Sequence, residues 1–124
     1  MHPILLAAYA VIASGSNAAT TKSTASFALD EKTYAIRWQQ LIGRGERPKV
    51  DFKRKSVIFL LAGSKPTGGY TIEVKKMAVK RDAMIVDANV TPPPPDAMVI
   101  QAFTSPYLVV AVDRRDFKTV VWKR

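Results

Sequence analysis

The stretch Val57-Ile58-Phe59-Leu60-Leu61-Ala62, followed across a short connection by Tyr70-Thr71-Ile72-Glu73-Val74-Lys75, decides the fold class. The first run is continuously apolar, rich in β-branched and aromatic side chains and short, so it reads as a strand covered on both faces. The second alternates apolar and polar residues, the period of a strand with one face in solvent. Downstream, Lys80-Arg81-Asp82 is a polar turn and Met84 to Val90 alternates again. Met98 to Phe103, Tyr107 to Val112 and Phe117 to Trp122 are further strand candidates. Upstream, Asp30 is placed to cap a helix over residues 31–42, and Glu31 adds negative charge to its first turn. Tyr34, Trp38, Leu41 and Ile42 form one apolar stripe on that helix before Gly43 and Gly45 stop it. One N-terminal α-helix and about six strands joined by short turns predict a mainly β fold, a small antiparallel sandwich or open barrel. Its expected core is Trp38, Val57, Phe59, Leu61, Ile72, Val74, Val86, Ile100, Val109 and Ala111.

Composition narrows the chemistry. The 124 residues amount to one domain, with no cysteine and a single histidine. Lacking cysteine, the chain has no disulfide, thiol nucleophile or zinc–thiolate site. The histidine is His2, beside the first methionine, so Ser-His-Asp, Cys-His and His-ligated metal chemistries are not expected. Asp82 with Asp87, and Asp113 with Asp116, fall at turns or outward positions, and nothing around Ser64-Lys65 marks an activated nucleophile. No cofactor or metal pattern is present. The chain reads as a non-catalytic protein.

Ile4 to Ala13 is an unbroken run of uncharged, mostly apolar residues, followed by Ser14-Gly15-Ser16-Asn17-Ala18-Ala19. Such a run is too short to cross a hydrocarbon core of roughly 30 Å, but it suits the central region of a secretory leader cleaved after Ala18. Met1-His2-Pro3 lacks the usual Lys or Arg, and the alternative is a strand or helix of the domain. The expected division is residues 1–18 as a signal peptide, 19–29 as a flexible lead-in and 30–124 as a single domain. The protein is then exported, periplasmic or secreted, and soluble after cleavage, with no membrane span and no cysteine for a lipid anchor. Losing residues 1–18 removes no charged residue, so the formal charge of +9 stays with the remainder.

Two segments carry the candidate site. Pro66-Thr67-Gly68-Gly69-Tyr70 joins two strands with paired glycines that permit tight backbone geometry, as a plain hairpin turn or as a presented loop. Gln101 and the run Thr104-Ser105-Pro106-Tyr107 form either a strand–turn–strand corner or a second loop facing the first. Pro92–Pro95 reads as a stiff polyproline II crossover. The basic residues, including Lys53-Arg54-Lys55 and Arg114-Arg115, sit in scattered pairs. Their charge favours polyanions, but no recognition motif accompanies it and specific nucleic-acid binding is not expected.

Val50-Asp51-Phe52, Val57 to Gly63 and Pro66 to Val74 together resemble the C-terminal domain family of the protease complex subunit PrcB. Gln101 to Tyr107 is similar to that family's second signature, with Phe103 where Leu is usual, and the likeness spans residues 31–113. The tetraproline departs from the mixture of Pro and Gly expected there. The resemblance implies a small exported accessory domain whose partner is a secreted protease. Lys65-Pro66-Thr67-Gly68-Gly69-Tyr70 is also similar to the Asn-Pro-Thr-Thr-Gly-Tyr loop of chagasin-type protease inhibitors. Three functions are therefore open: a protein-binding accessory subunit, a protease inhibitor acting through Pro66–Tyr70, and a module binding anionic surface polymers. The partner's identity and the oligomeric state stay open with them.

Overall fold

In the computed structural model, which describes residues 5–6 and 8–124, the chain folds as two stacked four-stranded sheets with a helix over one of them. The strands are β1 (Leu5–Leu6), β2 (Tyr9–Gly15), β3 (Ser23–Ala28), β4 (Lys55–Ala62), β5 (Thr71–Lys80), β6 (Ala83–Thr91), β7 (Tyr107–Asp113) and β8 (Thr119–Lys123); the helix α1 is Glu31–Leu41. One sheet has the order β1-β5-β6-β8 and the other β2-β7-β4-β3. All neighbours are antiparallel except β6 and β8, which run parallel. The fold is the mainly β sandwich that the alternation pattern predicts.

Its logic starts at β4. Successive side chains of a strand point to opposite faces, and here both faces are covered. Ile58 and Leu60 join Met77, Met84, Val86, Leu108 and Val110 between the two sheets. Val57, Phe59 and Leu61 join Tyr34, Trp38, Ile42 and Val109 beneath the helix. The helix begins where Asp30 accepts a hydrogen bond from the Thr33 amide at 2.7 Å, and ends with the Gly43 amide donating to the Trp38 carbonyl at 2.9 Å. Its stripe lands as expected, with Tyr34, Trp38 and Ile42 buried and Leu41 half-buried. The Tyr34 hydroxyl donates to the Pro48 carbonyl at 2.8 Å, and Trp38 Nε1 to the Arg44 carbonyl at 3.2 Å, so the basic loop after the helix is folded back over it.

Three expectations are corrected. Met98–Phe103 is not a strand. Ile100 is 72 % exposed and no part of the core. Both sides of β7 are already paired, with β2 and β4, and the segment leading into it is tied instead to the loop after β4 through the Gly68 amide and the Ile100 carbonyl. Ser23–Ala28 is not a flexible lead-in but an edge strand in register with Val57–Ala62. Tyr9–Gly15, within the expected leader, runs as a strand along β7. No residue from 8 to 18 is fully buried, and residues 1–4 and 7 of the leader lie outside the described residues.

Two side chains tie stability to pH in opposite directions. Burial pushes the Tyr34 hydroxyl up to about 12 from 10.0, so its contribution is complete below pH 10 and is lost as pH rises through 12. The Lys55 ammonium, 2.9 Å away, holds the Asp113 carboxyl below its ordinary 3.8. That contribution is present above the ordinary value and is lost as pH falls through the lowered one. Tyr34→Phe is expected to cost about 1 kcal/mol at neutral pH, by orphaning the Pro48 carbonyl, and to flatten the loss of stability above pH 10. Asp113→Asn is expected to flatten the acid limb instead. Chemical denaturation across pH checks both.

Candidate functional site

The connection between β4 and β5 and the segment leading into β7 are bonded to each other. Lys65 and Thr104 exchange both backbone hydrogen bonds, at 2.8 and 2.9 Å. The Thr104 hydroxyl donates to the Thr67 carbonyl at 2.7 Å, and the Gly68 amide donates to the Ile100 carbonyl at 2.9 Å. The Ser105 amide donates to Ser16, and its carbonyl accepts from the Ala18 amide. The two loops read from the sequence therefore form a single unit at one end of the sandwich.

Within that unit the named residues divide. Gly68, Thr104, Ser105 and Pro106 are buried and hold the loops together. Thr67, Tyr70 and Tyr107 are half-buried; Pro66, Gly69 and Gln101 are exposed. The two glycines also do different work. Gly69 has a φ of +87°, and a Cβ there would lie 2.8 Å from both Pro93 and Val99. At Gly68 a Cβ would meet only Ile100, at 3.5 Å, which is ordinary contact. The tetraproline is thus a wall against which Gly69 is packed.

What the sequence reading missed is the surface these ties display. Met98, Ile100 and Phe103 are 101 %, 72 % and 79 % exposed, large apolar side chains on a segment free of regular structure. With Gly68, Gly69, Val99 and Ala102 they line an open groove of about 490 Å³ whose far rim is Ser16 and Asn17. The signal was present in Met98-Val99-Ile100-Gln101-Ala102-Phe103. Its apolar character read as core because nothing local distinguishes an unpaired apolar run from a buried one.

Among the described residues there is no cluster of His, Cys, Asp or Glu able to hold a metal, and no carboxylate or histidine lines the groove. Some of the basic residues are tied into the structure. Lys55 is bonded to Asp113, Arg54 lies 3.8 Å from Asp51, and Arg114 donates to the carbonyls of Leu29 and Phe52 while reaching Asp116 at 3.3 Å.

A family model described as PrcB C-terminal matches residues 56–113, from the second residue of β4 to the end of β7. Residues 56–113 are thus similar to the PrcB C-terminal family. No curated protein and no solved structure matches the chain. The matched segment holds both loops and the ridge but not the helix, so the family pattern lies on the elements that build this end of the sandwich. No helix among the described residues is long and apolar enough to cross a membrane.

The glycine geometry gives a direct check on which residues build the unit. Gly69→Ala is expected to destabilise the fold by about 1–3 kcal/mol, from strained backbone and the approach to Pro93 and Val99. Gly68→Ala is expected to stay within about 0.5 kcal/mol of the parent. Thermal unfolding of the two variants reads the difference.

Proposed function

We propose that the chain is an exported, non-catalytic protein-binding domain that acts as an accessory subunit of a secreted protease complex. In this reading it meets its partner through Met98, Ile100 and Phe103. The observation that carries it is the ridge itself. Three adjacent large apolar side chains stand almost fully in solvent on a segment fastened at Gly68 and Thr104, and such patches mark interaction surfaces. A backbone already pinned loses little entropy on association. The family name supplies the protease context, and the uncharged run before Ala19 supplies the route out of the cytoplasm.

An inhibitory use of Pro66–Tyr70 needs that loop to project into a cleft. Its Gly68 is buried beneath Ile100 and its Thr67 carbonyl is occupied by Thr104, which favours the accessory role. Binding of surface polymers through Lys53–Lys55 and Arg114-Arg115 would draw on cations that already serve as internal ties.

The test is capture from extracytoplasmic extract at low and high salt, read by mass spectrometry. The parent is expected to retain a protease at high salt. The variant combining Met98→Ser, Ile100→Ser and Phe103→Ser is expected to lose it by about tenfold or more with its unfolding temperature unchanged. Capture of polyanions alone, abolished by salt and indifferent to those substitutions, would overturn the reading.

A further inference from the structure

The edge of β7 is covered by a strand that contributes almost nothing to the core. Tyr9–Gly15 pairs antiparallel with Tyr107–Val112, yet Tyr9, Ala10, Val11 and Ser14 are exposed, and Ile12, Ala13 and Gly15 are half-buried. The buried residues of both clusters begin at Ala28. If export removes residues 1–18, the fully buried residues of both clusters remain and only the flanking contacts of Ile12, Ala13 and Ala18 are lost among the described residues. The outward amides and carbonyls of Leu108-Val109-Val110-Ala111-Val112 are then stripped of their partners. An unpaired apolar edge of this kind is a template for another strand.

We propose that β7 is a strand acceptor, occupied in the precursor by Tyr9–Gly15 and in the processed protein by an extended, uncharged segment of the protein partner. This inference rests on the exported, protein-binding reading above and names how the partner is held. The seated strand specifies what fits. The register shifts between Val11 and Ala13, so the occupant bulges at the place of Ile12, which packs an apolar side chain against the cluster under the helix. A small residue follows it. Opposite Tyr107 glycine fits as the strand stands, because a Cβ at position 15 would lie 2.7 Å from the far end of the tyrosine ring and would make it shift. A second copy of the chain is the disfavoured occupant, since each copy carries a formal charge of +9. The same removal uncovers Ser16 and Asn17's side of the groove beside Met98 and Phe103, so edge and ridge become one continuous surface.

The experiment takes the protein from the extracytoplasmic fraction, measures its mass, and follows backbone amide exchange with and without a synthetic peptide of sequence Tyr-Ala-Val-Ile-Ala-Ser-Gly. A mass beginning at Ala19, with the β7 amides that face β2 exchanging freely alone and slowing about tenfold at saturating peptide, is the expected result. A peptide carrying Val11→Pro is expected to give no protection. Several results would overturn the proposal. One is a mass beginning at Ala19 with β7 exchange indifferent to the peptide. Another is loss of protection at β4 as well, meaning that no preformed acceptor survives cleavage. A third is β7 protected without peptide in a dimeric protein, meaning that a second copy closes the edge. A mass that still includes Tyr9–Gly15 would instead show the leader reading to be wrong, and the vacancy with it.

Discussion

Everything in this molecule depends on one strand being buried on both faces. Val57 through Ala62 are each at most 2 % exposed, and alternate side chains serve two separate cores. A half-solvated strand would need only one covering layer. This one requires a sheet on one side and a helix on the other, and the rest of the chain supplies them. Fully burying a side chain of this size contributes about 1.5–3 kcal/mol. Phe59, with Tyr34 at 6.2 Å between ring centroids, is the point where helix and sheet are locked together. Lys55, at the start of the same strand, bonds Asp113 at the end of β7, so the ladder between β4 and β7 is closed by an ion pair. The loop unit inherits its rigidity from this arrangement. One of its halves follows directly from β4 and the other leads directly into β7.

The parts of the fold that the sequence made legible are those where local pattern and tertiary role agree. β4, β5, β6 and β7 have apolar periods matching their burial, and the stripe of Tyr34, Trp38 and Ile42 matches the helix face. The parts that were not legible are those where the role is set by a neighbour. Ser23-Thr24-Ala25-Ser26-Phe27-Ala28 has the composition of a linker and is a strand because β4 offers it a free edge; only Ala28 is fully buried. Met98–Phe103 has the composition of a strand and is not one; it is held instead against the loop after β4, with the Gly68 amide bonded to the Ile100 carbonyl. β-propensity describes how well a side chain suits a pleated surface, and it is silent when the surface is missing or already occupied.

The candidate site was legible by the same measure. Pairing of the two loops could be anticipated from Gly68-Gly69 and from Thr104-Ser105-Pro106, residues whose backbone needs are local. Their division of labour could not. Thr104 and Ser105 turn inward because Thr67, Lys65, Ser16 and Ala18 present backbone groups to them, and those partners lie far along the chain. The exposed ridge follows from the tetraproline. Four residues without amide donors cannot continue the β6 ladder, and they turn the chain over Gly69 instead, with the Ala97 amide bonding back to Pro94.

Charge then explains why this end of the molecule is the one suited to a protein partner. The chain is 23 % charged, yet residues 8–21, 66–72 and 97–112 contain no Asp, Glu, Lys, Arg or His. These three stretches are distant in sequence, and the fold brings them together. β2 lies on β7, Ser16 and Ala18 bond Ser105, and Gly68 bonds Ile100. A random scatter of charge over the surface would not leave three such segments adjoining. Elsewhere the surface carries cations, and a field of that sign acts over roughly 8 Å at physiological salt, enough to orient an acidic partner but not to select one. Selection falls to the region where charge is absent. There, desolvation costs least and apolar contact with backbone pairing contributes most. A chain whose basic residues spread over the rest of the surface, and whose uncharged segments are gathered on one side, separates attraction from recognition.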